Sequence, residues 1–173
     1  MDNNCLEERK KKEVLKEVYQ KGFEYEKNYG NCCQSVIAAI TDIFGIDKSM
    51  VKSGFLFAGG FGLGGKGTCG ALAGAAIVLS NCYGRDREGF DQKISYGKLY
   101  RKINALQQKF EEEFSSSLCS EVQKKIMGRS FNLLDKADYK EFEKAGGHQD
   151  KCTNVVGITA MWLAEILWDE QYQ

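Results

Sequence analysis

Proline is absent from this 173-residue sequence, and histidine occurs only once, as His148. Because proline interrupts helices, its absence favours long, unbroken helices. Neither sign of charge is in excess, since 24 Lys and Arg residues balance 24 Asp and Glu residues. Nucleic acids and anionic membrane surfaces both attract proteins with a basic excess, so we predict neither as a partner.

Long apolar segments are missing as well. Residues 1–12 are polar and charged, without the apolar core of a signal peptide. The longest apolar run, residues 71–79, is too short to cross a bilayer. We therefore expect no membrane insertion and a cytoplasmic protein, whose length suits one domain with a real core.

The spacing of apolar residues predicts an all-α fold, with no convincing period-two strand. We expect one bundle of about five to seven helices, in which an amphipathic helix at residues 1–29 packs on a four-cysteine domain at residues 30–173. The predicted helices cover about 7–29, 32–44, 49–57, 69–82, 90–114, 118–127, 139–145 and 151–168. The expected N-caps are Asn31, Asp47 or Ser49, Thr68, the serines 115–117 and Asp150.

A glycine-rich stretch, residues 59–74, leads into the most apolar of these helices, which we predict to be central. It contains the dinucleotide pattern G-x-G-x-x-G at residues 60–65 and comes close to a P-loop. Both motifs need a preceding strand, and the sequence predicts none. The glycines are instead expected to bring backbone N–H groups near a sulfur or a cofactor, with Gly70 among the cofactor-binding residues, or simply to permit a close helix crossing.

Cysteine is abundant, and the seven residues are Cys5, Cys32, Cys33, Cys69, Cys82, Cys119 and Cys152. In a cytosolic protein so many cysteines favour metal or redox chemistry over structural disulfides. Four of them lie at predicted N-termini of different helices: Cys32, Cys69, Cys119 and Cys152. Helix N-termini lower the pKa of a thiol, so four converging N-termini would form a four-thiolate site. No C-x-x-C pair indicates a zinc ribbon or a ferredoxin.

The remaining candidates have weaker signals. Cys82 lies near a helix C-terminus and is expected to be a core or surface thiol. Cys5, close to the N-terminus, is expected to be incidental. His148 could serve as a ligand or a proton relay, although a single loop histidine more often does neither.

The segments around the four cysteines resemble a known family. They read Asn31-Cys32-Cys33-Gln34-Ser35-Val36, Thr68-Cys69-Gly70-Ala71-Leu72-Ala73-Gly74, residues 114–119, and Cys152 with Val155 and Val156. Over about residues 30–167 the sequence resembles the redox-active C_GCAxxG_C_C family, which has four characteristic cysteines and a Cys-Gly-Ala-x-x-Gly motif.

This resemblance implies a mostly helical fold and a redox role, with Cys32, Cys69, Cys119 and Cys152 as the family cysteines. A related region occurs in a multihaem cytochrome for which an iron centre has been proposed. The present sequence has no Cys-x-x-Cys-His, so covalent haem is not implied. Cys33 stands where a small residue is usual in the family, and it could be a spare ligand, a resolving thiol or packing.

Three functions remain open from the sequence. The favoured one is electron transfer or redox catalysis at an iron–sulfur cluster held by the four cysteines. The second is metal-free thiol–disulfide chemistry, with Cys69 or Cys32 as the attacking thiol. The third is a structural zinc site in an interaction module. The redox partner protein is not indicated, and the apolar helix face at residues 155–166 could support a homodimer.

Overall fold

The computed structural model describes residues 3–171, and side chains within residues 7–170. Its α-helices are α1 (Asn3–Tyr29), α2 (Cys32–Phe44), α3 (Gly70–Tyr83), α4 (Arg87–Asp91), α5 (Gly97–Phe114), α6 (Cys119–Met127), α7 (Lys136–Lys144) and α8 (Cys152–Gln171). A 3₁₀ helix covers Lys48–Phe57, and a π-helical turn covers Gly147–Lys151. The predicted all-α class is confirmed, because this part of the chain contains no strand. With the 3₁₀ helix included, eight helices in the described residues have at least seven residues, which is above the predicted range of five to seven. The side chain of Cys5 lies outside the described residues.

The core forms where α8 packs against α1, α2 and α3. Val18 of α1 and Leu163 of α8 are fully buried in it. Gly157 lets the two longest helices approach closely, since a Cβ there would lie 2.9 Å from the ring of Tyr19. The N-terminal helix is therefore packed on the rest of the chain by its apolar face.

Helix α3 is the central, buried helix that its composition predicts. Ala71, Ala75 and Val78 are fully buried on it. It packs against α2, and Gly74 makes the approach possible, because a Cβ at that position would lie 2.7 Å from the carbonyl oxygen of Cys33. This contact places the start of α3 beside the start of α2, and so Cys69 beside Cys32.

The helix predicted over residues 90–114 is in fact two helices, α4 and α5. Lys93 takes a positive φ of 54°. The N–H of Ile94 bonds to the carbonyl of Gly89, and that of Lys93 bonds to Phe90. This pair of bonds is a Schellman motif, which closes a helix even without a glycine in the left-handed position. The apolar periodicity of α5 concealed the break, because periodicity reports burial and not backbone continuity.

The predicted N-caps are confirmed at the start of α2 and of the 3₁₀ helix, where Asn31 and Asp47 accept backbone hydrogen bonds. Three others are wrong, namely Thr68, the serines 115–117 and Asp150. Cys69 and Leu118 occupy the N-cap positions of α3 and α6, and neither uses its side chain as a cap. Helix α8 continues directly from the π-helical turn, so it needs no cap at Asp150.

The α8 face suggested for a homodimer is used inside the protomer. Val155, Val156 and Leu163 are at most 2% exposed because α1, α2 and α3 cover them. A homodimer stays a prediction, and it would need another surface. None of the helices within residues 3–171 is long and apolar enough to cross a membrane.

Candidate cysteine redox site

The glycine-rich loop folds into a compact turn of left-handed residues before α3. Gly59, Gly60, Gly62 and Gly65 have φ values between 58° and 72°. Glycine takes this conformation at little cost, which explains the density of glycine in the stretch. A 3₁₀ helix precedes the loop, so the strand that a dinucleotide or P-loop motif requires is not found in the described chain.

Backbone hydrogen bonds tie this loop to the start of α6. The N–H of Cys69 bonds to the carbonyl of Ser117 at 2.7 Å, and the N–H of Cys119 bonds to Gly67 at 3.0 Å. Between them lies an isolated antiparallel bridge that joins Thr68 and Leu118. This short bridge brings Cys69 and Cys119 together, although they are 50 positions apart in the sequence.

All four predicted site cysteines line a single cavity of about 240 Å³. They are Cys32 at the start of α2, Cys69 before α3, Cys119 at the start of α6 and Cys152 at the start of α8. Cys69 and Cys119 are each only 6% exposed. The tertiary structure thus brings the four helix starts to one place, while the role of these cysteines as ligands stays a prediction.

Cys32 and Cys69 interact directly in this cavity. Their thiols share a hydrogen bond, and the backbone N–H of Gly59 donates to the sulfur of Cys32. Gly70 lies directly against the same sulfur, because a Cβ at Gly70 would overlap it. Gly59 of the loop and Gly70 at the start of α3 therefore allow the backbone to approach Cys32, as expected for glycines beside a sulfur site.

Burial and mutual proximity raise the pKa of three of the four thiols. For Cys32 the hydrogen bond with Cys69 is the first cause and burial the second. Burial raises the pKa of Cys119 to about 12 and that of Cys152 well above its ordinary value. The prediction that helix N-termini lower the pKa is wrong for these three thiols, since loss of water outweighs the helix dipole. A bound cation would offset that cost.

The other described cysteines lie outside the cavity. Cys33 is fully buried in the hydrophobic core, where a Cβ on Gly54 would come within 3.0 Å of its sulfur. Burial raises the pKa of Cys33 and, less strongly, that of Cys82. Of the roles left open for Cys33, packing agrees best with this position.

A buried carboxylate that the sequence analysis missed also lines the cavity. Glu26 lies on α1, is 2% exposed and accepts a hydrogen bond from Ser35 at 3.1 Å. His148 lines the same cavity, with its Nε2 3.7 Å from Glu26 and its Nδ1 2.6 Å from Glu143. Helical periodicity in the sequence could have identified Glu26 as a buried residue, because Val18, Gly22 and Glu26 follow one another at helical spacing on the buried face of α1.

Glu26 is expected to make stability depend on pH. Burial raises its pKa to about 7 from an ordinary 4.5. As pH rises, the unfolded chain therefore releases this proton first, so stability is full below about 4.5 and is lost as pH rises to about 7. We expect a loss of about 2–3 kcal/mol in the free energy of unfolding across that window.

Urea unfolding of wild type and Glu26→Gln at each end of the window measures this loss. The amide cannot ionise, so the variant should lack most of the pH dependence and be the more stable protein at high pH. Glu24→Gln, at an exposed position of the same helix, is the matched control and should follow wild type. A Glu26→Gln curve parallel to that of wild type would contradict the assignment.

The donor set of the cavity fits a sulfur-ligated cofactor by its chemistry, since four cysteine sulfurs are what an iron–sulfur cluster or a zinc ion uses. As the side chains lie, no group of three or more His, Cys, Asp or Glu residues in the described chain is arranged to hold a metal ion. Cofactor binding would therefore need side-chain adjustment around the sulfurs. Gly59 and Gly70 place only backbone atoms, and no side chain, next to the sulfur of Cys32.

The fold and this cavity define an all-helical protein with a buried cluster of cysteines drawn from four segments. The family described as "Putative redox-active protein (C_GCAxxG_C_C)" matches residues 30–166, and the chain belongs to that family. The resemblance stated from the cysteine motifs is thereby confirmed. Searches of curated proteins and of solved structures give no match to the chain.

Proposed function

We propose that this protein is an electron-transfer or redox protein whose four cavity cysteines bind an iron–sulfur cluster. One observation carries the proposal, which is that Cys32, Cys69, Cys119 and Cys152 line one largely buried cavity. Four cysteines are the usual ligand set for a [2Fe–2S] or [4Fe–4S] cluster. Membership of a redox-active family supports the same interpretation.

A cluster would supply one-electron chemistry, and the chain would set its environment. The backbone N–H of Gly59 already points at the sulfur of Cys32, and hydrogen bonds of this kind raise the reduction potential. Val122 and Val155 line the cavity beside the cysteines and keep water away from the sulfurs. The proposal includes a cytoplasmic location, where cysteines stay reduced, and a redox partner protein of unspecified identity.

A metal-free dithiol is the second candidate, and the hydrogen bond between the thiols of Cys32 and Cys69 favours it. In this chemistry a thiol of the pair attacks a disulfide substrate, and the other thiol then resolves the mixed disulfide. The two cysteines lose two protons and two electrons, and the substrate disulfide becomes two thiols. The raised pKa of Cys32 opposes formation of its thiolate, so this candidate ranks second.

Anaerobic purification, followed by reconstitution with ferrous iron and sulfide, tests the proposal. We expect brown protein that contains iron and sulfide in matching amounts and bleaches reversibly on reduction. Colourless protein that binds neither would overturn the cluster. A loss of two titratable thiols on mild oxidation, localised to Cys32 and Cys69, would then support the dithiol, and tightly held, redox-silent zinc would support a structural site.

A further inference from the structure

Three ionisable side chains form a line from the cysteine cavity to the protein surface. Their side-chain exposure rises from 3% for Glu26 to 21% for His148 and 37% for Glu143. The Nδ1 of His148 lies 2.6 Å from Oε1 of Glu143, within hydrogen-bond distance. Its Nε2 lies 3.7 Å from Oε1 of Glu26, about half an ångström beyond a direct hydrogen bond.

The bond to Glu143 fixes which ring nitrogen of His148 faces the cavity. One nitrogen is engaged by the outer carboxylate, so the other is presented to the inner one. The ring is also held from the side by an edge-to-face contact with Phe142, at 5.1 Å between ring centres. An imidazole between two carboxylates can take a proton on one nitrogen and release one from the other.

The position of Glu26 calls for a function, because a carboxylate on the buried face of a helix is costly. Its polar partners in the described chain are Ser35 and His148. The titratable groups that face it are Cys32, Cys119, Cys152, Tyr139, Glu143 and His148. Only His148 of this set can carry a positive charge, so further negative charge in the cavity acts directly on Glu26.

We propose that Glu143, His148 and Glu26 form a proton path, and that Glu26 takes up one proton for each electron that reaches the cysteine site. The inference rests on the proposed redox function. The electron comes from an external one-electron donor. An O–H bond forms at Glu26 as an N–H bond of His148 breaks, and His148 regains its proton from water by way of Glu143. Oxidation reverses each of these changes.

The physical reason is charge balance in a buried space. An added electron places negative charge beside the carboxylate of Glu26, and two like charges out of water repel strongly. Taking up a proton converts the carboxylate to a neutral acid and removes that repulsion. Glu26 is the carboxylate that lines the cysteine cavity, and His148 connects it to Glu143 at the more exposed end of the line, so Glu26 is the group placed to take up that proton.

The dependence of the reduction potential on pH tests the uptake of the proton. For the iron-loaded protein we expect the potential to fall by about 59 mV per pH unit over the pH range in which reduction protonates Glu26, the value for a tenfold change in equilibrium with one proton per electron. Glu26→Gln should hold a constant potential over the same range. Glu24→Gln, exposed on the same helix, should retain the slope of wild type. A Glu26→Gln protein that keeps the slope would overturn the proposal.

Infrared difference spectra of oxidised and reduced protein provide a readout that does not depend on activity. A carbonyl band of a protonated carboxyl group should appear on reduction of wild type and be missing in Glu26→Gln. His148→Gln should keep the band but slow its appearance by roughly a hundredfold, because it removes the relay and leaves the acceptor. An unchanged rate would exclude His148 from the path. A reversible redox change without the carboxyl band would overturn the proton path alone, whereas no redox change at all would overturn the proposed function with it.

Discussion

Cys69→Ser is expected to abolish cofactor binding and the redox response of the protein. Cys69 is buried, lies in the cysteine cavity and shares a hydrogen bond with Cys32, so both the cluster and the dithiol candidates depend on it. Loss of a hydrogen bond that only supports a metal ligand lowers metal affinity by about 10–100-fold. Because Cys69 is a proposed ligand itself, we expect iron affinity to fall by more than that. Iron and sulfide content after anaerobic reconstitution, together with reversible bleaching, measure the effect.

Cys82→Ser is the matched control for this variant, because Cys82 is a half-buried cysteine outside the cavity. It should bind iron and sulfide as wild type does. Burying a hydroxyl in place of the Cys69 thiol is expected to cost about 1–3 kcal/mol of stability, so helix content by circular dichroism is measured alongside. A folded Cys69→Ser protein with wild-type cofactor content and redox behaviour would refute the central role of the cysteine cavity.

Gly70→Ala is expected to damage the site by displacing the sulfur of Cys32. The added methyl group would overlap that sulfur and lie 2.9 Å from the carbonyl oxygen of Phe57 and 3.2 Å from the backbone nitrogen of Cys33. Overpacking of this kind costs about 1–3 kcal/mol, which exceeds the gain of about 1 kcal/mol that alanine brings to a helix. Urea unfolding and cofactor content measure the two consequences.

Gly64→Ala separates this effect from loss of a glycine in general. Gly64 lies in the loop that leads into Gly70, and a Cβ there would meet only the carbonyl oxygen of Phe61, at an ordinary 3.4 Å. We expect near wild-type stability and cofactor content for this control. If Gly70→Ala has the same stability and cofactor content as Gly64→Ala, the close packing of Gly70 against Cys32 is not needed for the site.

The helical architecture could be predicted from the sequence because helix signals are local. Helix formation follows from the absence of proline, the apolar periodicity and the cap at Asn31. Helices α2 and α3 begin and end within a residue or two of their predicted bounds. The break at Lys93 could not be predicted in the same way. It depends on a Schellman closure by non-glycine residues, for which composition gives no signal.

For the candidate site, the residues could be predicted from the sequence, but their electrostatic environment could not. The cysteine spacing and the family motif selected Cys32, Cys69, Cys119 and Cys152 from seven cysteines. The predicted helix starts lie within one residue of the observed ones, even where the predicted caps are wrong. The electrostatic environment of these thiols could not be obtained in that way. A helix N-terminus alone favours a thiolate, but burial beside other thiols raises the pKa, and burial is a property of the assembled core.

The sequence by itself therefore determined most of the helices, apart from the break at Lys93, and singled out the four cysteines. Only the tertiary structure decided that they share one cavity, because a backbone bridge at Thr68 and Leu118 joins segments 50 positions apart. The tertiary structure also decided which other residues line that cavity. Glu26 became a site residue when α1 packed its buried face beside α2 and the π-helical turn, which placed the carboxylate 3.7 Å from His148.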